Sequence, residues 1–375
     1  MPFSTLRTPL ALLDLERVER NCRAMSRRVT KLGVKLRPHI KTHKCIEVAT
    51  RQTRDQFGGI TVATLEEAAW FGARGFSDIT WAVPLAPARA AEAVALGARL
   101  DAFQVLVDSL EAAHAIAEAA EDAGRIQSVL LKVDCGYGRA GVDPSGVLGP
   151  CLAEHLSQSP AIHFAGILAH GGHSYGATTF DEVREVAAQE RDVTVGFAKR
   201  LRDAGLVVET VSIGSTPTCV AVDQLAGVTE VRPGNYAYFD AFQTMLGSCT
   251  LEDCAFSVLT TVIGCYPERR VMLVDAGSLA LSADVGPRHV DEACGHGVVL
   301  DASGSPLSGY HLEKLSQEHG RIVLDPDATP LPVGSRLRIV PNHSCLAAAL
   351  YDRVTVLTDG LPGEIWSTSG ARPGR

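Results

Sequence analysis

Residues 101–124, "DAFQVLVDSLEAAHAIAEAAEDAG", contain a short apolar run that is followed directly by a stretch rich in Ala and Glu. A continuous apolar run is the pattern of a strand that is buried on both faces of a sheet. The stretch after it has apolar residues at three- and four-residue spacing, which is typical of an amphipathic helix. This segment therefore predicts one strand that leads into one helix.

The same alternation extends over residues 10–245. It recurs in "ALLDLERVERNCRAMSRRV", "GITVATLEEAAWFGARG" and "DITWAVPLAPARAAEAVALG" before the segment, and further strands follow in "QSVLLKVDCGYGRAGV", "HFAGILAHGG" and "VVETVSIGSTPT". Seven or eight such units in about 235 residues favour a parallel (β/α)8 barrel, although an open doubly wound sheet has the same alternation.

The pattern changes after residue 245. Segments such as "FSVLTTVIGCYP", "RRVMLVDAG" and "GSRLRIVPNHS" are short strands that are separated by Gly, Pro and Asp, with little helical periodicity. This pattern is typical of an antiparallel β domain. We predict an α/β chain with a TIM barrel over residues 10–245, and a β domain over residues 246–375 that includes residues 1–9.

The composition excludes several classes of protein. The chain has 375 residues, 46% of them hydrophobic, and a net charge of -8. These values exclude a disordered chain, and the pI of about 5.8 argues against a general nucleic-acid binder. We find no apolar run that could span a bilayer and no signal-peptide pattern, and the ten cysteines form no CxxC pair. We therefore expect a cytoplasmic protein without a disulfide framework.

Polar residues collect where the predicted barrel strands end, which is where TIM barrels carry their active sites. The candidates at these ends are Lys41, Arg139, His170, Tyr175, Gly214, Ser215, Thr216, Arg232, Gly234 and Asn235. The segments "GSTPT" and "RPGNY" would together bind a phosphate through backbone N–H and hydroxyl groups, with Arg232 adding charge. A "GST" tripeptide by itself is an ordinary turn.

The segment "LRPHIKTHK", residues 36–44, contains five side chains that can carry positive charge. A lysine in a surface loop usually points into solvent. Lys41, however, follows a short predicted strand and has other cations near it in sequence. A lysine crowded by positive charge loses its proton more easily, and the neutral amine can form a Schiff base.

His343 and Cys345 follow a predicted strand in "RLRIVPNHSCLAAALYD". In an extended backbone two residues that are two apart point to the same face. Imidazole nitrogen and thiolate sulfur are preferred zinc ligands, and a site with two protein ligands leaves positions open for water or substrate. A buried cysteine beside a helix-capping histidine gives the same pattern without a metal.

Together these segments resemble one family. "LRPHIKTHK", "GITVATLEEA", "KVDCGYGRAGV", "SIGSTPT", "TEVRPGNYAYFD", "GSCTLEDCA", "LVDAG", "QEHG" and "VPNHSC" are similar, in order, to segments of the D-serine dehydratase / D-threonine aldolase family. The similarity covers residues 9–350. It implies a pyridoxal-phosphate enzyme with an alanine-racemase-like barrel and a β domain, and it implies a homodimer.

The resemblance also implies roles for the candidate residues. Lys41 would hold pyridoxal 5'-phosphate as a Schiff base, Arg139 would approach its phenolic oxygen, and His170 would stack on its ring. The phosphate would be held by Gly214, Ser215, Thr216, Gly234 and Asn235. Arg232 would lie near the ring nitrogen or the phosphate. His343 and Cys345 would bind a divalent metal, either Zn²⁺ or another ion such as Mn²⁺.

The reaction implied by the resemblance is elimination from a D-3-hydroxy amino acid. Lys41 would remove the Cα proton, and the metal would stabilise the departing hydroxide. D-serine dehydratase members resemble this chain in having His-x-Cys, whereas aldolase members have His-x-Asp. The alternatives are therefore D-threonine aldolase, which cleaves the Cα–Cβ bond, and D-threo-3-hydroxyaspartate dehydratase, which shares the His-x-Cys pair.

Two other classes fit the sequence less well. A non-enzymatic cofactor carrier would be a single barrel, so residues 246–350 and the His-x-Cys pair argue against it. A racemase would use a tyrosine base from the β domain, and the sequence has no matching tyrosine context. The sequence therefore favours a lyase that acts on a small D-amino acid.

Overall fold

The computed structural model describes residues 3–368, which form two compact units. The barrel unit comprises residues 24–234, and the β unit comprises residues 3–23 together with 235–368. Residues 3–9 lie in the β unit, as predicted, but this unit extends to residue 23 at the start of the chain, and it resumes at residue 235 rather than at the predicted residue 246. Residues 1, 2 and 369–375 of the predicted β domain lie outside the described residues.

The chain starts with β1 (Leu10–Asp14) and α1 (Leu15–Lys31), and α1 crosses from the β unit into the barrel unit. The eight strands of the barrel unit are β2 (Lys35–Leu36), β3 (Ile60–Val62), β4 (Asp78–Pro84), β5 (Ala102–Val107), β6 (Gln127–Lys132), β7 (Ile162–Leu168), β8 (Thr210–Ile213) and β9 (Glu230–Val231). Its remaining helices are α2 (Ile46–Thr53), α3 (Leu65–Gly72), α4 (Ala90–Gly97), α5 (Leu110–Asp122), α6 (Leu148–Gln158), α7 (Phe180–Asp203) and α8 (Thr216–Ala221).

These eight strands form one parallel sheet in the order β2-β9-β8-β7-β6-β5-β4-β3. A parallel bridge between His39 and Thr61 joins the two ends of that order. The Thr61 amide donates to the carbonyl of Pro38 at 2.9 Å across the same seam. The predicted (β/α)8 barrel is therefore confirmed, and the alternative of an open sheet is excluded.

The segment 101–124 folds as one strand and one helix, β5 and α5. Ser109 caps α5 by accepting a hydrogen bond from the Ala112 amide at 3.3 Å, which satisfies a backbone donor at the helix start. The buried face of the helix includes Ala112 and Ile116. Gly124 has φ +61° just past the helix end, a conformation that glycine adopts without a steric penalty.

The β unit contains nine strands in one sheet. After β1 these are β10 (Phe256–Tyr266), β11 (Val271–Val274), β12 (Gly297–Asp301), β13 (Pro306–Leu315), β14 (Gly320–Leu324), β15 (Arg336–Pro341), β16 (Arg353–Thr358) and β17 (Leu361–Ser367). Three short helices accompany them, α9 (Ala241–Met245), α10 (Ser278–Leu281) and α11 (Ser344–Ala348). The order is β11-β14-β13-β12-β15-β10-β1-β16-β17, and a further β10–β11 pairing closes the first six strands into a ring. The predicted antiparallel β domain is confirmed.

Strand β1 is the main correction to the predicted organisation. Because an apolar run is followed directly by the helical pattern of α1, the sequence predicted that β1 is the first strand of the barrel. In the structure β1 pairs instead with β10 and β16 in the β unit. Ala11, Leu12 and Leu13 are completely buried there. An apolar run predicts burial on both faces, but it does not specify the sheet in which the strand is buried.

A buried ion-pair network crosses the interior of the barrel unit. Arg37 Nε lies 2.9 Å from Glu230 Oε2, and Arg37 Nη1 lies 2.5 Å from Asp78 Oδ1. The second oxygen of Glu230 accepts from the Ser212 hydroxyl at 2.7 Å. Arg37 and Glu230 are both buried, so each charge depends on its partners.

We expect Glu230→Ala to lower the free energy of unfolding by about 3–5 kcal/mol, because the substitution leaves the buried Arg37 with one carboxylate partner instead of two. Urea unfolding followed by circular dichroism measures the change. Glu92→Ala is the matched control, since the Arg89–Glu92 pair is exposed and is expected to contribute at most about 1 kcal/mol. Equal effects of the two substitutions would contradict the prediction.

No helix within residues 3–368 is both long enough and apolar enough to cross a membrane.

Candidate active site

The segment "LRPHIKTHK" carries less positive charge than its composition suggests. Arg37 belongs to the ion-pair network described above, and Lys44 Nζ lies 3.0 Å from Glu67 Oε1. Burial lowers the pKa of His43 to about 4, and its Nε2 lies 2.8 Å from Gln52 Oε1. Most of the segment is therefore structural, and Lys41 is the lysine that it leaves exposed.

Lys41 lies in a short 3₁₀ helix, Ile40–Thr42, that follows β2. Its backbone N–H donates to Nδ1 of His39 at 3.4 Å, so the imidazole caps the turn that presents the lysine. Burial lowers the pKa of His39 well below its usual value, and Lys41 and Arg232 lower it further. A neutral His39 can therefore accept this hydrogen bond.

Cations near several strand ends act electrostatically on His170, which lies two residues after the end of β7. Burial lowers the pKa of the His170 imidazole well below its usual value. Repulsion from Lys41, Arg139, Arg232 and Lys132 lowers it further, in that order. These four cations come from the ends of three strands, β2, β6 and β9, rather than from "LRPHIKTHK" alone. The carboxyl edge of the barrel thus combines a neutral imidazole with a concentration of positive charge.

Lys132 is a residue of this cluster that the sequence analysis missed. It is the last residue of β6 and is buried, and its Nζ donates to the Val133 carbonyl at 3.0 Å. Burial, with added repulsion from Arg232 and Arg139, lowers the pKa of Lys132 from 10.5 to about 8. A lysine that ends an otherwise apolar strand was the available signal.

The titration of Lys132 predicts a pH dependence of stability. Below its folded pKa of about 8 the amine is charged in both states, so the cost of burying the charge is fully present. Between about pH 8 and 10.5 the folded chain loses this proton before the unfolded chain does, so the free energy of unfolding rises by about 3 kcal/mol. Urea unfolding of the cofactor-free protein across this range measures the rise. Lys132→Met should remove it, and an identical rise in both proteins would contradict the prediction.

Two loops that carry predicted cofactor residues are joined by Glu190 of α7. Its Oε1 accepts from the amides of Gly171 at 2.5 Å and Gly214 at 2.8 Å, and the side chain is completely buried. Its Oε2 is buried and has no hydrogen-bond partner among the described residues. Glu190 therefore fixes the loops after β7 and β8, and the sequence analysis missed it because it lies within a helix.

Ser215 and Thr216 begin α8. Ser215 caps this helix in a reciprocal pair with Thr218, in which the Ser215 amide donates to Thr218 Oγ1 at 2.9 Å. Gly214 has φ +110°, and a Cβ there would lie 2.7 Å from Cys219 Sγ. A Cβ on Gly234 would lie 2.5 Å from the His39 carbonyl oxygen. Both glycines are required by close approach of the backbone to neighbouring groups.

Arg232 follows β9 and is buried, and its guanidinium is fixed from three directions. Nη1 donates to Ser212 Oγ at 2.6 Å and to the Ile213 carbonyl at 3.2 Å, and Nη2 donates to the Ala169 carbonyl at 2.5 Å. Through Ser212 it joins the network of Arg37 and Glu230. The pKa of Arg232 is lowered by burial.

Arg139 and Tyr137 lie in the Gly-rich loop after β6. The Arg139 guanidinium lies 4.9 Å from the centre of the Tyr137 ring, and that ring meets the His170 ring edge to face at 6.1 Å. Asp134 Oδ1 accepts from the amides of residues 136, 137 and 138 and shapes the loop. Tyr175 lies in the 3₁₀ helix Gly172–Gly176 and is partly buried.

His343 and Cys345 lie in the β unit. The prediction that an extended backbone carries both side chains is wrong for Cys345. The backbone is extended at His343, but α11 starts at Ser344 and places Cys345 in its first turn. His343 Nδ1 lies 3.6 Å from Asp284 Oδ2. Burial alone lowers the pKa of His343, but the Cys345 thiolate and the Asp284 carboxylate outweigh burial and raise it to about 11. Imidazole and sulfur are therefore adjacent.

Asn235 was predicted to contact the phosphate together with Gly234, and it falls in the β unit rather than the barrel unit. Its Nδ2 lies 2.7 Å from Asp240 Oδ2, 2.9 Å from Ser344 Oγ and 3.5 Å from Cys345 Sγ. Its Oδ1 is buried without a hydrogen-bond partner among residues 3–368. This oxygen is the part of the amide that remains available to another group.

The residues fit the two groups that the family implies. Four cations and the backbone approach at Gly214 and Gly234 suit an anionic cofactor in the barrel unit. Imidazole and thiolate in the β unit suit a divalent metal such as zinc. Within residues 3–368 no group of three or more His, Cys, Asp or Glu side chains is arranged to hold a metal.

Two family models match the chain. "Alanine racemase, N-terminal domain" matches residues 13–241, and "Putative serine dehydratase domain" matches residues 255–357. The first match contains the barrel strands, and the second contains His343 and Cys345. The chain therefore combines the two domains that the resemblance predicted.

Named relatives and solved structures agree with the models. The chain is 39% identical over 368 residues to D-threo-3-hydroxyaspartate dehydratase of Delftia sp. (strain HT23), covering 96% of this chain and 97% of the relative. It is 37% identical over 379 residues to D-serine dehydratase of Dictyostelium discoideum, covering 95% of each. A solved metal-free mutant form of D-threo-3-hydroxyaspartate dehydratase superposes with a TM-score of 0.93 at 37% identity, covering 98% of this chain and 99% of the other. The chain belongs to the D-serine dehydratase / D-threonine aldolase family of pyridoxal-phosphate-dependent lyases that act on D-amino acids.

Proposed function

We propose that this protein is a D-serine dehydratase that uses pyridoxal phosphate and a zinc ion to form pyruvate and ammonia. The observation that carries the proposal is the adjacency of the His343 imidazole and the Cys345 sulfur, which supply the donors that zinc prefers. Such an ion would assist the expulsion of a β-hydroxyl, because hydroxide is a poor leaving group.

We assign cofactor binding to the carboxyl edge of the barrel unit. Lys41 is proposed to hold the cofactor covalently, and the positive charge of Arg139, Arg232 and Lys132 would balance its phosphate and phenolate. His170 would present a neutral ring to it, since the same cations disfavour a protonated imidazole. Tyr175 and the segment 214–216, with Gly234 and Asn235, complete the proposed binding residues.

Bound pyridoxal phosphate supplies an electron sink for the charge that develops at Cα. The residues of this chain supply the proton transfer and the orientation. Lys41 would accept the Cα proton at Nζ when its amine is not bonded to the cofactor. The His39 cap fixes the backbone from which that amine extends.

A divalent ion supplies a Lewis acid for the departing hydroxide. The contribution of the chain is to hold the two donors in place. Asp284 lies next to the His343 imidazole and orients its ring, as carboxylates commonly do for metal-binding histidines. Mn²⁺ is a weaker candidate because thiolate donors favour zinc.

D-threo-3-hydroxyaspartate is a second candidate substrate. It carries one more carboxylate than D-serine. The relative of that name is also 39% identical over nearly the whole chain. A D-threonine aldolase is a less favoured alternative because its His-x-Asp pair differs from His343 and Cys345.

Product analysis distinguishes these candidates. Purified protein is incubated with D-serine, D-threonine or D-threo-3-hydroxyaspartate, each with and without a chelator. Keto acid and ammonia from D-serine, lost on chelation, support the proposal. The same products at higher kcat/KM from hydroxyaspartate support the second candidate. Glycine and an aldehyde contradict both, as does elimination that a chelator leaves unchanged.

We also propose a cytoplasmic homodimer. The acidic net charge and the absence of a disulfide framework in the sequence support the location, and the family resemblance supports the assembly. Light scattering coupled to size-exclusion chromatography measures the molar mass directly. A monomer in solution would contradict the assembly.

A further inference from the structure

The carboxylate of Asp240 is buried in the β unit and accepts hydrogen bonds on both of its oxygens. The side chain is 1% exposed and directly precedes α9. Oδ1 accepts from the Gln243 amide at 2.9 Å. Oδ2 accepts from the Ser344 amide at 2.9 Å, from the Ser344 hydroxyl at 3.2 Å and from Asn235 Nδ2 at 2.7 Å. The two oxygens therefore hold different parts of the unit.

The Oδ1 contact is an ordinary helix cap. Asp240 stands at the N-cap of α9, and Gln243 is the third residue of that helix, which is the usual geometry for this motif. The Oδ2 contacts serve no helix of which Asp240 is a part. They reach across the chain to residue 344 of α11 and to residue 235.

Ser344 is the residue between the two proposed metal ligands. Its amide and hydroxyl both bond to Asp240, so the backbone that carries His343 on one side and Cys345 on the other is fixed at its centre. Asn235 strengthens this connection, because its Nδ2 contacts Asp240, the Ser344 hydroxyl and Cys345 Sγ. Ser344 is itself completely buried.

We propose that Asp240 is a positioning residue for the metal site, which holds the His343–Cys345 segment in the geometry that binds the ion. The inference rests on the proposed function, since it assumes that this pair binds a metal. Asp240 is not a ligand itself, because both oxygens are occupied by backbone and side-chain donors. Its role is to restrict the conformations of His343 and Cys345 before the metal ion binds. The affinity for the ion then increases, because less conformational entropy is lost on binding.

Asp240→Ser separates the two roles of this side chain. Serine is also a good N-cap, so the Gln243 contact can persist, whereas the oxygen that holds Ser344 and Asn235 is lost. We expect the dissociation constant for Zn²⁺, measured by competition with a chromophoric chelator, to rise about 10–100-fold. In the cobalt-loaded protein we expect the thiolate-to-cobalt absorption of Cys345 to weaken or shift, while the far-ultraviolet circular dichroism stays unchanged.

Two further variants complete the test. Asp14→Ser is the matched control, because Asp14 Oδ1 accepts from the Arg17 amide at 3.0 Å at the start of α1 in the same unit, far in sequence from the metal ligands. It should bind zinc as the wild type does. Ser344→Ala removes one of the Asp240 contacts and leaves the α9 cap intact, so it should weaken zinc binding less than Asp240→Ser does. This variant decides the outcome if Asp240→Ser does not fold.

The outcomes distinguish this inference from the proposed function. Wild-type zinc affinity and an unchanged cobalt spectrum in both Asp240→Ser and Ser344→Ala would overturn the positioning role and leave the metal site in place. Failure of the wild-type protein to bind zinc or cobalt would overturn the metal site, and the positioning role with it. An equal loss of affinity in Asp14→Ser would show that the loss does not depend on the contacts of Asp240 with Ser344 and Asn235, and would overturn the inference.

Discussion

Replacing Lys41 with alanine is expected to abolish the visible absorbance of the covalently held cofactor and to reduce turnover of D-serine by about 10⁴-fold. The substitution removes both the amine that holds the cofactor and the base that accepts the Cα proton. Absorbance spectroscopy and a coupled assay for pyruvate measure the two effects on one preparation.

Lys35→Ala is the matched control for this prediction. Lys35 lies in β2, is exposed, and its ammonium rests 5.3 Å from the centre of the Phe57 ring. Its replacement should leave absorbance and turnover close to those of the wild type. An intact visible band in Lys41→Ala would show that another residue holds the cofactor.

Replacing Cys345 with alanine is expected to remove the metal and to reduce elimination by about 10³-fold, while the cofactor absorbance remains. The loss corresponds to several kcal/mol of charge stabilisation on the departing oxygen, and each 1.36 kcal/mol is a factor of ten in rate. Metal content by atomic absorption, absorbance and pyruvate formation are measured together. The cofactor is retained because Lys41 and the cations around His170 belong to the barrel unit.

Cys265→Ala provides the comparison. Cys265 is a partly buried cysteine in β10 of the same unit, and its thiol has no assigned role in the metal site. Its replacement should preserve metal content and rate. Elimination at the wild-type rate in Cys345→Ala would exclude the Lewis-acid function of the ion.

The fold could be predicted from the local periodicity of the sequence, except for which strands pair with each other. The parallel barrel and the change to antiparallel strands both follow from repeated patterns that any short window reveals. The sheet to which β1 belongs does not, because its pairing with β10 joins residues that are far apart in sequence. Pairing between strands that are far apart in sequence depends on the complete chain, and it cannot be predicted from a single apolar run.

The candidate site was predicted unevenly for a similar reason. Lys41, His170 and the pair of His343 and Cys345 stand out because their residue types suggest chemistry. Lys132, Glu190 and Asp240 do not stand out. The role of a buried charged side chain depends on the neighbours that it contacts in the folded chain. For Glu190 these are the amides of Gly171 and Gly214.

The place of β1 has a consequence for how this protein is made. The barrel unit is one continuous stretch, so its strands can pair as soon as that stretch has left the ribosome. The β unit needs β1 from the beginning of the chain and β10 and β16 from its last third. Strand β1 is therefore without its partner strands while the whole barrel unit is synthesised, and its apolar residues and backbone hydrogen-bonding groups are unpaired during that time. We therefore expect residues 10–14 to remain without their strand partners until the last third of the chain has been synthesised.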